Sequence, residues 1–122
     1  MKYKLTLLYC IAILILSVLP SKSFPKTEIT NADKIVHFFM YLFMVGAMFV
    51  DNLLINGKKN ISNKKLLFFF FFAVIFGAII EIIQYFLPTR SAEWYDLLSN
   101  SIGAILGISI IFVVKNVFFQ QK

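Results

Sequence analysis

Four apolar runs separated by short polar stretches set the pattern of this 122-residue chain: Leu5 to Leu19, Ile35 to Leu54, Leu66 to Leu87 and Leu97 to Val114. At a rise of 1.5 Å per residue, helices over these runs extend roughly 22, 30, 33 and 27 Å, against a hydrocarbon layer of about 30 Å. The pattern predicts an all-α integral membrane bundle of four transmembrane helices, a single domain over residues 1–122. The first run is marginal in length. With Lys2 and Lys4 ahead of it and Pro20-Ser21-Lys22-Ser23 behind, it has a second reading as a signal peptide cleaved near the serines. Tyr9 is too bulky for a lipoprotein processing site at Cys10, which reads as a small apolar residue facing the membrane. The Phe68 to Phe72 run has no polar interruption and reads as lipid-facing bulk.

Polar residues inside the apolar runs recur at helical spacing. In the third run Gly77, Glu81, Gln84 and Pro88 fall at offsets of 0, 4, 7 and 11, one stripe of an α-helix, and in the fourth Asp96, Asn100, Gly103 and Gly107 repeat that spacing. In the second, Asp33 and Lys34 open the helix, and His37 and Tyr41 continue its polar face. Glu81 lies about 10 Å below its helix end, too deep to snorkel to water, and a charge at such a depth costs on the order of 2.5 to 3.5 kcal/mol or somewhat less. A residue retained there is a functional candidate by default. Gly103 and Gly107 form a GxxxG match suited to close backbone approach. The short PTRSAEWYD connection predicts the last two helices as antiparallel neighbours, with Pro88 ending one, Ser91 capping a surface turn, and Trp94 and Tyr95 at the interface. Pro25 keeps the first connection extended, and Thr30, Asn31 or Asp33 caps the second helix. Asp51 has two readings: a headgroup-level charge paired with a loop lysine, or a site residue.

Composition changes the picture in one respect. With 60% hydrophobic and 15% charged residues and a mean hydropathy of +0.83, the chain has lipid rather than water as its solvent. The net charge of +6 does not signal nucleic acid, because the basic residues sit at helix ends rather than on one surface. They sort by side instead. Lys2, Lys4, Lys58, Lys59, Lys64, Lys65, Lys115 and Lys122 flank one face; Lys22, Lys26, Lys34 and Arg90 flank the other. The positive-inside rule then predicts an N-in, C-in topology with the first and third connections outside. On that topology Asp33, Lys34, His37, Tyr41, Glu81, Gln84, Arg90, Asp96 and Asn100 converge on the outer side. One cysteine and one histidine leave no zinc-type ligand set, so no metal and no cofactor is expected.

DKIVHFFMY from Asp33 to Tyr41, and EIIQYFLPTRSAEWYDLLSNSIGAILG from Glu81 to Gly107, resemble the VanZ-like family of small bacterial membrane proteins. Its pattern, roughly D-K-x-x-H-x-x-x-Y, E-x-x-Q, R-S/T and D-x-x-x-N-x-x-G, is filled here by Asp33, Lys34, His37, Tyr41, Glu81, Gln84, Arg90, Ser91, Asp96, Asn100 and Gly103. The resemblance implies a multi-pass protein of the bacterial cytoplasmic (inner) membrane, and the family's named member is associated with low-level resistance to teicoplanin. It supplies a cell-envelope context and no established reaction.

Three functions follow as expectations. In the first, the outward-facing pocket binds or modulates an anionic envelope component, a lipid headgroup or cell-wall-related ligand, with Arg90 and Lys34 as the anion clamp. In the second, a membrane enzyme acts on a lipid-linked or peptidoglycan-related substrate, with His37 and Glu81 sharing proton transfers and Arg90 stabilising negative charge; no nucleophile elbow or phosphate loop accompanies it. In the third, the polar cluster only joins helices, with Gly77, Gly103 and Gly107 as packing positions and Gly103 and Gly107 driving assembly; a homo-oligomer is a separate expectation. A bundle this small, with no internal repeat, argues against an alternating-access transporter.

Overall fold

The computed structural model describes residues 2–24, 31–57 and 61–119. They form α1 (Lys4–Val18), a 3₁₀ turn (Ser21–Ser23), α2 (Ala32–Asn56), α3 (Asn63–Phe86) and α4 (Trp94–Val114), which runs on through a π turn (Lys115–Phe119). The last three helices, at 25, 24 and 26 residues with the π turn included, are long and apolar enough to cross a membrane, whereas α1 has 15 residues. Leu8, Leu54, Phe68, Ile75, Ile82 and Val113 are all more than half exposed, a surface suited to lipid contact.

Local chemistry sets the helix ends. The Ser62 hydroxyl accepts the Lys65 N–H at 3.2 Å and starts α3. Gly57 ends α2 at φ 70°, a backbone conformation that side-chain-bearing residues rarely adopt. Asn31 takes the position before α2 without a side-chain capping bond, and Asp33 sits in the first turn. Of the other sequence-based assignments around the loops, Thr30, Pro25, Lys26, Lys58, Lys59 and Lys122 lie outside the described residues. At the start of α4 the cap position is Glu93, without a side-chain capping bond.

Packing is fixed by residue pairs. His37 meets Asn100, Phe38 meets Gly103, Leu42 meets Gly107 and Phe49 stacks on Phe119, so α2 and α4 run parallel. Lys115 reaches Asn63 at one end and Glu93 reaches Glu81 at the other, so α3 is antiparallel to α4. α1 is antiparallel to α2 through Thr6 and Asp51, and parallel to α3 through Ser17 and Gln84. One end of the bundle therefore carries the first turn of α1, the end of α2, the start of α3 and the end of α4. The core between them is Ile13, Tyr41, Met44, Val45, Met48, Phe69, Ala73, Ile80, Ala104 and Ile111.

Gly103 and Gly107 pack closely on α2 of the same chain: a Cβ on Gly103 would lie 2.1 Å from the Phe38 carbonyl oxygen, and one on Gly107 would lie 3.2 Å from that of Leu42. Three expectations are corrected here. Asp51 is only 2% exposed. It pairs with no lysine among the described residues and instead accepts the backbone N–H groups of Leu5 and Thr6 at 3.2 and 2.7 Å and the Thr6 hydroxyl at 2.7 Å. It thus does for the first turn of α1 what an N-cap residue does, from another helix. Phe69 is fully buried, so the phenylalanine run is not uniformly lipid-facing. Cys10 is half-buried against the core rather than facing lipid.

Candidate functional site

The opposite end of the bundle collects the polar side chains. Lys34 and His37 lie one turn apart on α2, and Asp96 and Asn100 one turn apart on α4, so the parallel pairing of these helices sets the two pairs side by side. Lys34 Nζ contacts Asp33 Oδ2 at 2.7 Å, Glu93 Oε2 at 2.6 Å and Asp96 Oδ1 at 3.4 Å. His37 Nδ1 lies 2.9 Å from Asn100 Oδ1, and its Nε2 lies 3.7 Å from Asp96 Oδ2. Below them the Tyr41 hydroxyl is fully buried without a hydrogen-bond partner among the described residues.

α3 enters this cluster through its polar stripe. Gly77 makes room for it: a Cβ there would lie 3.0 Å from Asn100 Nδ2 and 3.3 Å from the Tyr41 ring. Glu81, one turn further on, is buried; its Oε2 accepts the Glu93 N–H at 3.2 Å while Oε1 has no partner among the described residues. Gln84 Nε2 donates to the Ser17 carbonyl at 3.1 Å, which ties α3 to the end of α1. Three helices thus bring together Asp33, Lys34, His37, Tyr41, Glu81, Gln84, Asp96 and Asn100.

Arg90 stands apart from that core. Its guanidinium lies over the Phe24 ring at 5.5 Å, and it lines a cleft of about 520 Å³ between the end of α1 and the start of α2. Leu16, Val36 and Met40 form apolar wall, and Asp33 and His37 are shared with the polar cluster. The Thr89 carbonyl accepts the Ser21 N–H at 3.4 Å and the Ser21 hydroxyl at 3.2 Å, holding the turn that bears Arg90 against the cleft.

Three features are not legible in the sequence pattern. Glu93 holds Lys34; its position three residues before Asp96, on the same helical face, is the available signal. A count of cysteine and histidine leaves out the carboxylates: His37, Glu81 and Asp96 place one ligand atom each within 4.8 Å of one another, as do Asp33, Glu93 and Asp96. Ser17, drawn in from α1, carries no periodic signal.

Comparison with known proteins returned no match among curated proteins or solved structures. The family model described as VanZ/LLP1 matches residues 3–115, a span that includes nearly all of the four helices and the whole polar cluster. By that match, the chain belongs to the VanZ/LLP1 family.

Proposed function

We propose that this single-domain chain sits in the bacterial cytoplasmic membrane with its N- and C-termini both inside, and that its polar end opens outward and binds an anionic amphiphile of the cell envelope. The lysine-rich flanks of one bundle end support the orientation. The observation that carries the ligand reading is Arg90: at the cleft, it has no carboxylate partner among the described residues. A guanidinium in that position suits bidentate capture of a phosphate or carboxylate headgroup, while Leu16, Val36 and Met40 receive apolar chain. Lys34 is already committed to three carboxylates, which leaves the anion to Arg90.

The test is native mass spectrometry of the full chain in detergent, with phosphatidylglycerol and phosphatidylcholine offered in turn. Wild type retains the anionic lipid preferentially. Arg90→Ala loses that preference by about 10- to 100-fold, the worth of a charge-assisted hydrogen bond, and Arg90→Lys falls between. Equal retention of the two lipids overturns the reading. A contribution to teicoplanin tolerance is tested in cells with His37→Ala, Glu81→Gln, Arg90→Ala and Asn100→Ala: normal membrane accumulation with lost tolerance supports a binding site, and lost accumulation supports a purely structural cluster.

A second reading, an enzyme using His37 and Glu81 in proton transfer, draws on the approach of those two side chains to each other and to Asp96. Turnover of a lipid-linked substrate by the purified chain distinguishes it from binding alone.

A further inference from the structure

We propose that His37, Glu81 and Asp96 hold a divalent first-row metal cation, of the zinc or manganese class. α2, α3 and α4 supply one ligand atom each, all within 4.8 Å of one another. In the proposed site His37 Nδ1, 2.9 Å from Asn100 Oδ1, donates to that oxygen, and Nε2, which faces Asp96, is the nitrogen left to the ion. This is how a metal-binding histidine is held, one ring nitrogen tied to an oxygen and the other free. The separation of 3.7 Å between Nε2 and Asp96 Oδ2 is too long for a hydrogen bond. It is close to the roughly 3.5 Å that separates two donors each about 2.0 to 2.2 Å from a tetrahedral ion.

A second observation points independently to a bound cation. Glu81 is 8% exposed; its Oε2 is occupied by the Glu93 N–H, and Oε1 is buried with no partner among the described residues. Leaving a carboxylate oxygen so is costly, and a cation bound to it removes the cost. Asp96 divides its two oxygens in a compatible way, Oδ1 toward Lys34 and Oδ2 toward His37. A nitrogen and two carboxylates suit zinc, manganese or iron better than calcium or magnesium, which favour all-oxygen shells.

The proposal does not depend on amphiphile binding at Arg90, and its test is separate. Full chain in detergent is stripped with a chelator and titrated with Zn²⁺ alone by calorimetry, and the zinc-loaded protein is examined by X-ray absorption. The expected result is one ion per chain with a single imidazole in its shell. His37→Gln and Glu81→Gln should each weaken binding at least 100-fold, while an Asp33→Asn, Glu93→Gln double variant stays within a few-fold of wild type. The absorption measurement uses wild type and so stands whether or not the variants fold. A shell without imidazole, no saturable binding, or loss of binding in the double variant with retention in His37→Gln overturns the assignment.

Discussion

Replacing Gly103 with alanine is the sharpest test of the parallel contact between α2 and α4. The added Cβ would lie 2.1 Å from the Phe38 carbonyl oxygen and 2.9 Å from its carbon. Both atoms are backbone, so no rotamer change relieves the overlap. Carbon and a carbonyl oxygen approach to about 3.3 Å at closest, so the two helices must separate by about 1.2 Å. A gap of this size forfeits a quarter to a half or more of the dispersion energy along the seam, and overpacking of this kind typically costs 1 to 3 kcal/mol. Separation also lengthens the His37 to Asn100 contact of 2.9 Å, less than a turn away on α4. We expect Gly103→Ala to destabilise the bundle by about 2 kcal/mol or more in reversible unfolding from mixed micelles. Gly107→Ala, with its nearest atoms at 3.2 Å, should cost under about 1 kcal/mol, and Gly46→Ala, with nothing within 4 Å, should be neutral or gain about 0.5 kcal/mol from helix propensity. If Gly103→Ala and Gly46→Ala unfold alike, the seam is not where the geometry puts it.

Other substitutions test the remaining joints. Asp51→Ala strips three donors at the start of α1 of their acceptor, so a loss of about 1 to 2 kcal/mol and faster maleimide labelling of Cys10, the sole cysteine, are expected. Asp51→Asn keeps an acceptor oxygen and should cost less; unchanged labelling in Asp51→Ala would refute the capping role. Double-mutant cycles should give Lys34 and Glu93 a coupling of about 1 kcal/mol or less, because Glu93 is 45% exposed. The Lys34 and Asp96 cycle should exceed it despite the longer distance, since Asp96 is 7% exposed and its charge is less well solvated. Equal couplings would contradict that ranking.

Periodicity made the helices and their polar faces legible: each predicted run overlaps its helix with ends displaced by at most three residues. The stripes of Glu81 with Gln84 and of Asp96 with Asn100 were readable for the same reason, since spacing alone determines which residues share a face. Spacing does not say which helix that face meets. Gly103 announced a close contact, but its partner is the parallel α2 rather than the sequence-adjacent α3 or a second copy. Asp51 and Thr6 are 45 residues apart, and nothing in either segment marks the capping bond between them. Lys34 looked available for a ligand until the fold brought Glu93 onto it. Phe69 was hidden by the uniformity of its neighbours, because five identical side chains leave no pattern to show which one turns inward.

Running α2 and α4 in the same direction also aligns their peptide dipoles. Two helix N-termini lie next to each other, each bearing about half a positive charge, and Asp33 and Asp96 occupy their first turns. Backbone amides therefore set a fixed positive field beside these acidic side chains, beyond what any neighbouring side chain provides. The same sequence threaded with α4 reversed would present carbonyl ends there, and the acidic chemistry of that end would lose its footing.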